Sequence, residues 1–166
     1  KISGELYGLQ YSDTFGMDIR NARLFFVYGP GKRPSHMHKV YQGLFGPLEG
    51  LDNIQASNGS QQSLDWTHVL DTATGIVKLF EKPQVTKRNF NISSGVPVDH
   101  LKIIDEVADI TGKTSNVQLG PGPFVVRGSP LDISRAREEL GFEPRFTNIR
   151  EGLMDYWQWL QKTNHL

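Results

Sequence analysis

Two short stretches of this chain gather residue types able to hold an anion or move a proton. The first runs Tyr28-Gly29-Pro30-Gly31-Lys32-Arg33, where two cations follow a Gly/Pro turn. A guanidinium meets phosphate oxygens with two parallel hydrogen bonds, so Lys32 and Arg33, together with Arg23 and Arg127, are candidate anion contacts. Each also reads as a solvated surface cation, and Arg23, set before an apolar run, is equally placed to pair with a carboxylate. The second stretch sets His68 between Asp65 and Asp71. A carboxylate beside an imidazole can orient it as a base, but a hydrogen-bonded structural histidine is the favoured reading here. His36 and His38 bring both rings to one face only in an extended segment. With no cysteine and no carboxylate before Glu49, a metal site is not expected there. His100 and His165 read as solvent-facing, and Trp66, Phe146, Trp157 and Trp159 as core or interface aromatics. Ser93-Ser94-Gly95 lacks the glycine before the serine that a nucleophile elbow requires.

The elements that position these residues alternate in type. Ile2, Leu6, Leu9 and Phe15 at helical spacing, with Gly16 as a stop, predict a helix over 2–15. Ile19 to Tyr28 predicts a strand that runs into the Gly/Pro turn. A short helix is expected around Lys39 to Phe45 and a strand near Ile54. Val69 to Lys82 predicts an amphipathic helix with Val69, Ala73, Ile76, Val77 and Phe80 inward. Arg88 to Ile92 is a short strand, and Asp99 offers an N-cap for a helix to about Thr111. Asn116 to Leu119 reads as a strand, Asp132 caps a helix carrying Ile133, Ala136 and Leu140, and Asn148 with Glu151 has capping-box spacing for the last helix. Strands alternating with helices predict an α/β class. A crevice for ligand is expected past a strand's carboxyl end. The dinucleotide fingerprint Gly-x-Gly-x-x-Gly is not met, because Gly29 and Gly31 lead into no helix and no third glycine follows at the right place.

Composition bounds the function classes. The 166 residues suffice for one domain with a core, and 18 Lys+Arg balance 18 Asp+Glu. Zero net charge gives no general grip on nucleic acid or an anionic membrane, so neither partner is expected. No cysteine is present, which fits a reducing compartment, and a cytoplasmic location is expected. No apolar run approaches the roughly 20 residues that span a bilayer. The chain opens on Lys1 directly before a helical pattern. It reads as a piece of a longer protein or as a shortened relative of one.

Four segments, in order, resemble the NAD-dependent epimerase/dehydratase family, the extended short-chain dehydrogenases that act on nucleotide sugars. "ARLFFVYGPGKRP" is similar to its Arg-(x)-Phe-(x)-Val-Tyr-Gly-Pro strand, and "QQSLDWTHVLDTATGIVKLFEKP" to its Arg-Asp-Phe-x-His-Val-x-Asp helix entry. "RNFNISSGVPVDHLKIIDEVADITGK" resembles its Asn-Ile-Gly-Ser-Gly segment, and "PLDISRAREELGFEPRFTNIREGLMDYWQW" its closing helix pair. The resemblance implies late elements of a Rossmann-like sheet over 1–30 and, over 31–166, mainly the small α/β substrate-binding lobe, within one domain.

It further implies that Lys1 stands where the family's Tyr-x-x-x-Lys lysine binds the nicotinamide ribose and lowers the pKa of the catalytic tyrosine. Phe25, Phe26 and Val27 would then lie beside the cofactor. Phe26, Lys32, Arg33, Leu64 and Arg127 would lie on the substrate side. The implied cofactor is NAD or NADP, not expected to be held by this chain alone, since the glycine loop and the tyrosine fall outside it. The chain departs from the pattern at Phe26, where the family commonly has Asn, at Leu64, where it has Arg, and at Leu70, where it has Asp. Two readings follow. One is the carboxy-terminal half of a nucleotide-sugar epimerase, dehydratase or reductase. The other is a non-catalytic, self-associating ligand- or partner-binding module of the same descent. A homo-oligomer or an amino-terminal partner half is expected.

Overall fold

The computed structural model describes residues 1–113, 116–125 and 130–163. Two layers of the expected plan are present: short, mostly parallel strand pairs and helices packed around them. Strand β1 (Asn21–Leu24) pairs in parallel with β6 (Asn89–Ile92), in register Asn21 to Asn89 and Leu24 to Ile92. Between them the chain crosses through β2 (Val27–Tyr28), a single 3-10 turn (Pro34–His36), helix α2 (Lys39–Glu49), β3 (Ile54–Ala56), β4 (Ser63–Asp65), β5 (Thr67–His68) and helix α3 (Val69–Glu81). β2 pairs with β5, in parallel. After β6 come β7 (Pro97–Asp99), α4 (His100–Thr111), β8 (Val117–Leu119), α5 (Ser134–Leu140) and α6 (Ile149–Thr163). β3 pairs with β8 in parallel, and β4 with β7 antiparallel. The fold is therefore α/β, with the β1/β6 pair joining residues from both sides of the expected division at residue 30.

The predicted strand over 19–28 is split in two. Phe25 and Phe26 interrupt it, and their rings meet edge to face at 4.7 Å. Tyr28, on the second piece, is buried and stacks on Phe45 at 5.4 Å. Phe45 belongs to the main core with Val40, Leu44 and Leu48 of α2, Ile103 and Val107 of α4, and Leu153, Tyr156 and Leu160 of α6. A smaller core joins Leu79 of α3, Phe90 and Ile92 of β6, and Ala136, Leu140 and Phe142.

Helix α3 forms where expected but is turned over. Its buried residues are Asp71, Thr72, Gly75 and Leu79, whereas Ile76, Val77 and Phe80 are exposed, Phe80 by 85%. Two demands, one polar and one steric, set this orientation. The Asp71 carboxylate accepts hydrogen bonds from the Arg145 and Phe146 N–H groups at 2.8 and 2.9 Å. Gly75 brings the helix so close to β6 that any side chain there would overlap Ile92 and press on Phe142. Gly152 of α6 plays the same part against the Tyr28 hydroxyl. Close backbone approach outweighs the apolar stripe, because a buried carboxylate without partners costs more than an exposed Phe.

Helix α1 (Ile2–Phe15) forms where the spacing predicts it, with its apolar residues facing out. Ile2, Leu6, Leu9 and Phe15 are exposed by 77, 60, 47 and 66%, and Ser12 is its one buried residue among those described. The helix is tied down by polar contacts instead. Arg23 of β1 makes a two-pronged pair with Glu5, at 2.8 and 2.5 Å, and the Ser12 hydroxyl donates to the Met17 carbonyl at 2.5 Å. Other caps are mixed. Asn148 accepts from the Arg150 N–H at 3.1 Å, and Asp132 from Ser134 at 2.9 Å. Asp99 precedes α4 but makes no side-chain cap bond.

Candidate active-site cleft

Beside β1 lies a cleft of about 1240 Å³. Lys1 at the N-cap of α1, Glu5 of α1, Arg23 and Phe25 of the β1 segment, Asn91 of β6 and Leu131 are among its walls. Among the described residues β1 hydrogen-bonds to another strand only along its β6 side, so its other edge is open to this cleft. β1 and β6 run parallel and end together, with Leu24 beside Ile92. Phe25 and Ser93 therefore leave the sheet side by side, and a parallel sheet opens its ligand crevice past such carboxyl ends.

The wall is held by a buried carboxylate. Asp65 is fully buried and accepts hydrogen bonds from the Ser94 N–H at 3.0 Å, the Ser94 hydroxyl at 2.6 Å, the Gly95 N–H at 3.1 Å and the Leu131 N–H at 3.2 Å. One side chain thus fixes the turn after β6 and the segment that carries Leu131 into the cleft. The cations of the cleft are largely engaged. Arg23 is paired with Glu5, whose carboxyl is held below its ordinary range mainly by that hydrogen bond. Arg20 donates to Asp18 and to the Leu79 and Lys82 carbonyls at 2.6 and 2.5 Å.

The residues singled out in the sequence separate. Lys1 and Phe25 line the cleft. Phe26 is half-buried behind it, against Trp66 at 5.5 Å, Phe124 at 6.1 Å and Tyr41 at 6.5 Å. Val27 pairs with Thr67 in β2/β5 and lies outside the cleft wall. Lys32 is exposed, and its carbonyl accepts from the Tyr156 hydroxyl. Arg33 binds Glu49 at 2.9 Å and the Thr163 carbonyl at 3.0 Å, which docks the turn on α2 and α6. Leu64 is fully buried in the main core. Arg127, like His165, lies outside the described residues.

His38, His68 and His100 are structural. His38 Nδ1 accepts from the Val40 N–H at 3.3 Å and caps α2. His68 is buried; its Nδ1 accepts from the Leu70 N–H at 3.4 Å and caps α3. That bond leaves the proton on Nε2, which faces Asp155 of α6 at 3.3 Å rather than Asp65 or Asp71. Burial lowers the His68 pKa, against the pull of Asp155 and Asp71. His100, read as solvent-facing, is fully buried, with Nδ1 2.9 Å from the Gly59 carbonyl. Nothing in its neighbours along the chain marks this, since Gly59 is 41 residues away. Asn91 and Leu131 were likewise not legible as wall residues, nor Asp65 as the buried support of the Leu131 segment, and the only local sign was the position of Asp65 ahead of the helix entry.

The NAD dependent epimerase/dehydratase family matches this chain over residues 1–93. The chain belongs to that family. An uncharacterized UDP-glucose epimerase of Bacillus subtilis is 28% identical over 157 residues, covering 92% of this chain and 48% of the relative. A dTDP-4-dehydro-6-deoxy-D-allose reductase of Streptomyces bikiniensis is 26% identical, covering 97% of this chain and 49% of that protein. Among solved structures, a Thermotoga maritima UDP-glucose 4-epimerase with UDP-glucose superposes with a TM-score of 0.84 at 26% identity, over 99% of this chain and 52% of that one. A Bacillus cereus UDP-glucuronic acid 4-epimerase variant, in complex with a fluorinated UDP-sugar and NAD, gives 0.82 at 25%, over 98% of this chain and 51% of that one. The chain thus spans about half the length of these relatives. Family structures carry NAD, and among the described residues of this chain no helix is long and apolar enough to cross a membrane.

Proposed function

We propose that this chain forms the carboxy-terminal half of an NAD-dependent enzyme that epimerises, dehydrates or reduces a nucleotide sugar. The observation that carries the reading is the placement of Lys1 and Phe25 in one cleft at the open edge of the β1/β6 pair. The residues present suit one end of the cofactor. An ammonium at Lys1 donates hydrogen bonds to ribose hydroxyls, and the Phe25 ring offers a flat apolar face to a planar ring. They do not suit its pyrophosphate, because the turn at Gly29 and Gly31 leads only into the short 3-10 turn Pro34–His36 and into no α-helix N-terminus. The amino-terminal half supplies that cradle and the tyrosine base. When bound, NAD would supply hydride transfer, its oxidised form taking hydride from the sugar and its reduced form returning it. This chain's share is to orient the ribose, to hold positive charge near the tyrosine hydroxyl so that its proton leaves more easily, and to close the sugar off from water with the Leu131 segment. Residues 31–166 mainly form the substrate lobe.

The exposed apolar residues of α1 add an association surface. Leu6, Leu9 and Phe15 are all exposed, and a second copy of the chain covers part of the helix in this reading. Self-association is also the feature the non-catalytic reading would share, so it does not separate the two.

Nitrogen–proton correlation spectra of the labelled chain, titrated with UDP-glucose, test the site. The amides of Leu24, Phe25, Asn91, Ser93 and Leu131 are expected to shift together. Shifts confined to other surfaces, or none at saturating ligand, would reject it.

A further inference from the structure

Asn58 is the only asparagine of the chain that a glycine follows; the others precede alanine, histidine, or a branched or aromatic residue. The backbone nitrogen of the next residue can attack an asparagine side-chain carbonyl, and a glycine, lacking Cβ, leaves that approach open. In the folded chain both reacting groups are engaged. The Gly59 N–H donates to the Gly122 carbonyl at 3.0 Å, and the Asn58 side-chain amide donates to the Pro123 carbonyl at 3.3 Å. The pairing extends to either side. The Gly120 N–H donates to the Ala56 carbonyl at 2.8 Å, and the Ser60 N–H to the Gly120 carbonyl at 3.1 Å. Gly120 comes so close that a Cβ there would lie 2.2 Å from the Ser57 carbonyl oxygen. From α4, His100 Nδ1 lies 2.9 Å from the Gly59 carbonyl. Gly59, at φ 110°, is therefore held through both its N–H and its carbonyl. Asn58 itself is only half-buried, so water reaches it. A loop held by a few backbone bonds opens locally far more often than the whole chain unfolds.

We propose that Asn58 is a latent deamidation site, shut while the 57–61 loop is paired with 120–123 and reactive when that pairing opens. In the open loop the Gly59 nitrogen loses its proton and attacks Asn58 Cγ. The Cγ–Nδ2 bond breaks, ammonia leaves with that proton, and a cyclic imide remains. Water then opens the imide at either C–N bond, leaving aspartate or isoaspartate at position 58. Neither product restores the closed loop. A carboxylate has no N–H to offer the Pro123 carbonyl, so an attraction becomes a repulsion between oxygens. Isoaspartate also adds a methylene to the main chain, which takes Gly59 out of register with Gly122 and His100. The conversion runs one way and leaves the loop unlatched from the start of α4.

Peptide mass spectrometry of the 166-residue chain, aged at neutral pH with and without denaturing urea, tests this. In urea Asn58 is expected to convert before every other asparagine. Without urea its conversion should be at least about 10-fold slower. His100→Ala, which removes the contact to the Gly59 carbonyl, should speed conversion in the folded chain. Equal rates at Asn58 with and without urea would overturn the protection by the loop, and another asparagine converting first in urea would overturn the choice of site. Hydrogen exchange of Asn58→Asp reads the unlatching without relying on His100→Ala. Its Gly59 and Ser60 amides should exchange at least about 10-fold faster than in the unaltered chain. Unchanged exchange there would show that the product leaves the loop closed.

Discussion

Asp65→Ala is expected to cost about 3–5 kcal/mol of stability. The carboxylate is fully buried and takes four hydrogen bonds from Ser94, Gly95 and Leu131. Removing it leaves the Gly95 and Leu131 N–H groups without their acceptor and the Ser94 N–H with only the Thr67 hydroxyl at 3.3 Å, at about 1–3 kcal/mol each and less than additively. For a chain of this size the loss corresponds to a drop in melting temperature on the order of 10 °C. The Asn variant keeps one acceptor oxygen and should recover about half of the loss. The effect reaches function because Leu131 is both a partner of Asp65 and a wall of the cleft. Thermal unfolding of the three proteins checks the ranking, and equal melting temperatures would show that the carboxylate does not hold the turn.

Acid should destabilise the chain through His100, whose pKa burial pushes down to about 4, against the partial opposing pull of the Gly59 carbonyl and Asp99. The unfolded imidazole titrates near 6.5. A folded-state value below the unfolded one means that the unfolded chain binds the proton first. The contribution is therefore fully present above about pH 6.5 and is lost as the pH falls toward 4. Between pH 7 and pH 5 the loss is about 2 kcal/mol from this one group. Denaturant unfolding across that interval should show the slope, and His100→Gln should flatten it while lowering stability at neutral pH, since the pairing to the 57–62 loop is weakened. A slope unchanged by the substitution would place the acid sensitivity elsewhere, with His68 as the next group because its pKa is also lowered by burial.

Order and type of the elements were readable because they follow local rules. The helices at Ile2, Val69 and Ser134, and the stops at Gly16, Gly112 and Gly141, lie where periodicity and glycine placed them. The four family segments carried the fold class, whereas the pairings of β1 with β6 and of β2 with β5 appear only in the folded chain. What could not be read was which face turns inward. On α3 the apolar stripe points out, since Asp71 is held by N–H groups 74 and 75 residues away and Gly75 must meet Ile92. On α1 the apolar residues face solvent because nothing among the described residues covers them. The site was half legible. Lys1 and Phe25 share the cleft, whereas Arg33 serves Glu49 and Leu64 serves the core. Cations and apolar residues look alike in sequence whether they meet a ligand or a distant part of the same chain.

The central claim is that Lys1 works at the cofactor in the cleft beside β1. The direct test joins this chain to the amino-terminal half of the Thermotoga maritima UDP-glucose 4-epimerase, whose structure it matches with a TM-score of 0.84. Reduction of bound NAD is then followed by its near-ultraviolet absorbance on adding a nucleotide sugar. A sugar-dependent rise in reduced cofactor, lost by at least about 100-fold in rate in Lys1→Ala with NAD still bound, is the expected result. A rise that Lys1→Ala leaves unchanged would contradict the claim, as would a well-folded, NAD-loaded chimera that no nucleotide sugar can reduce.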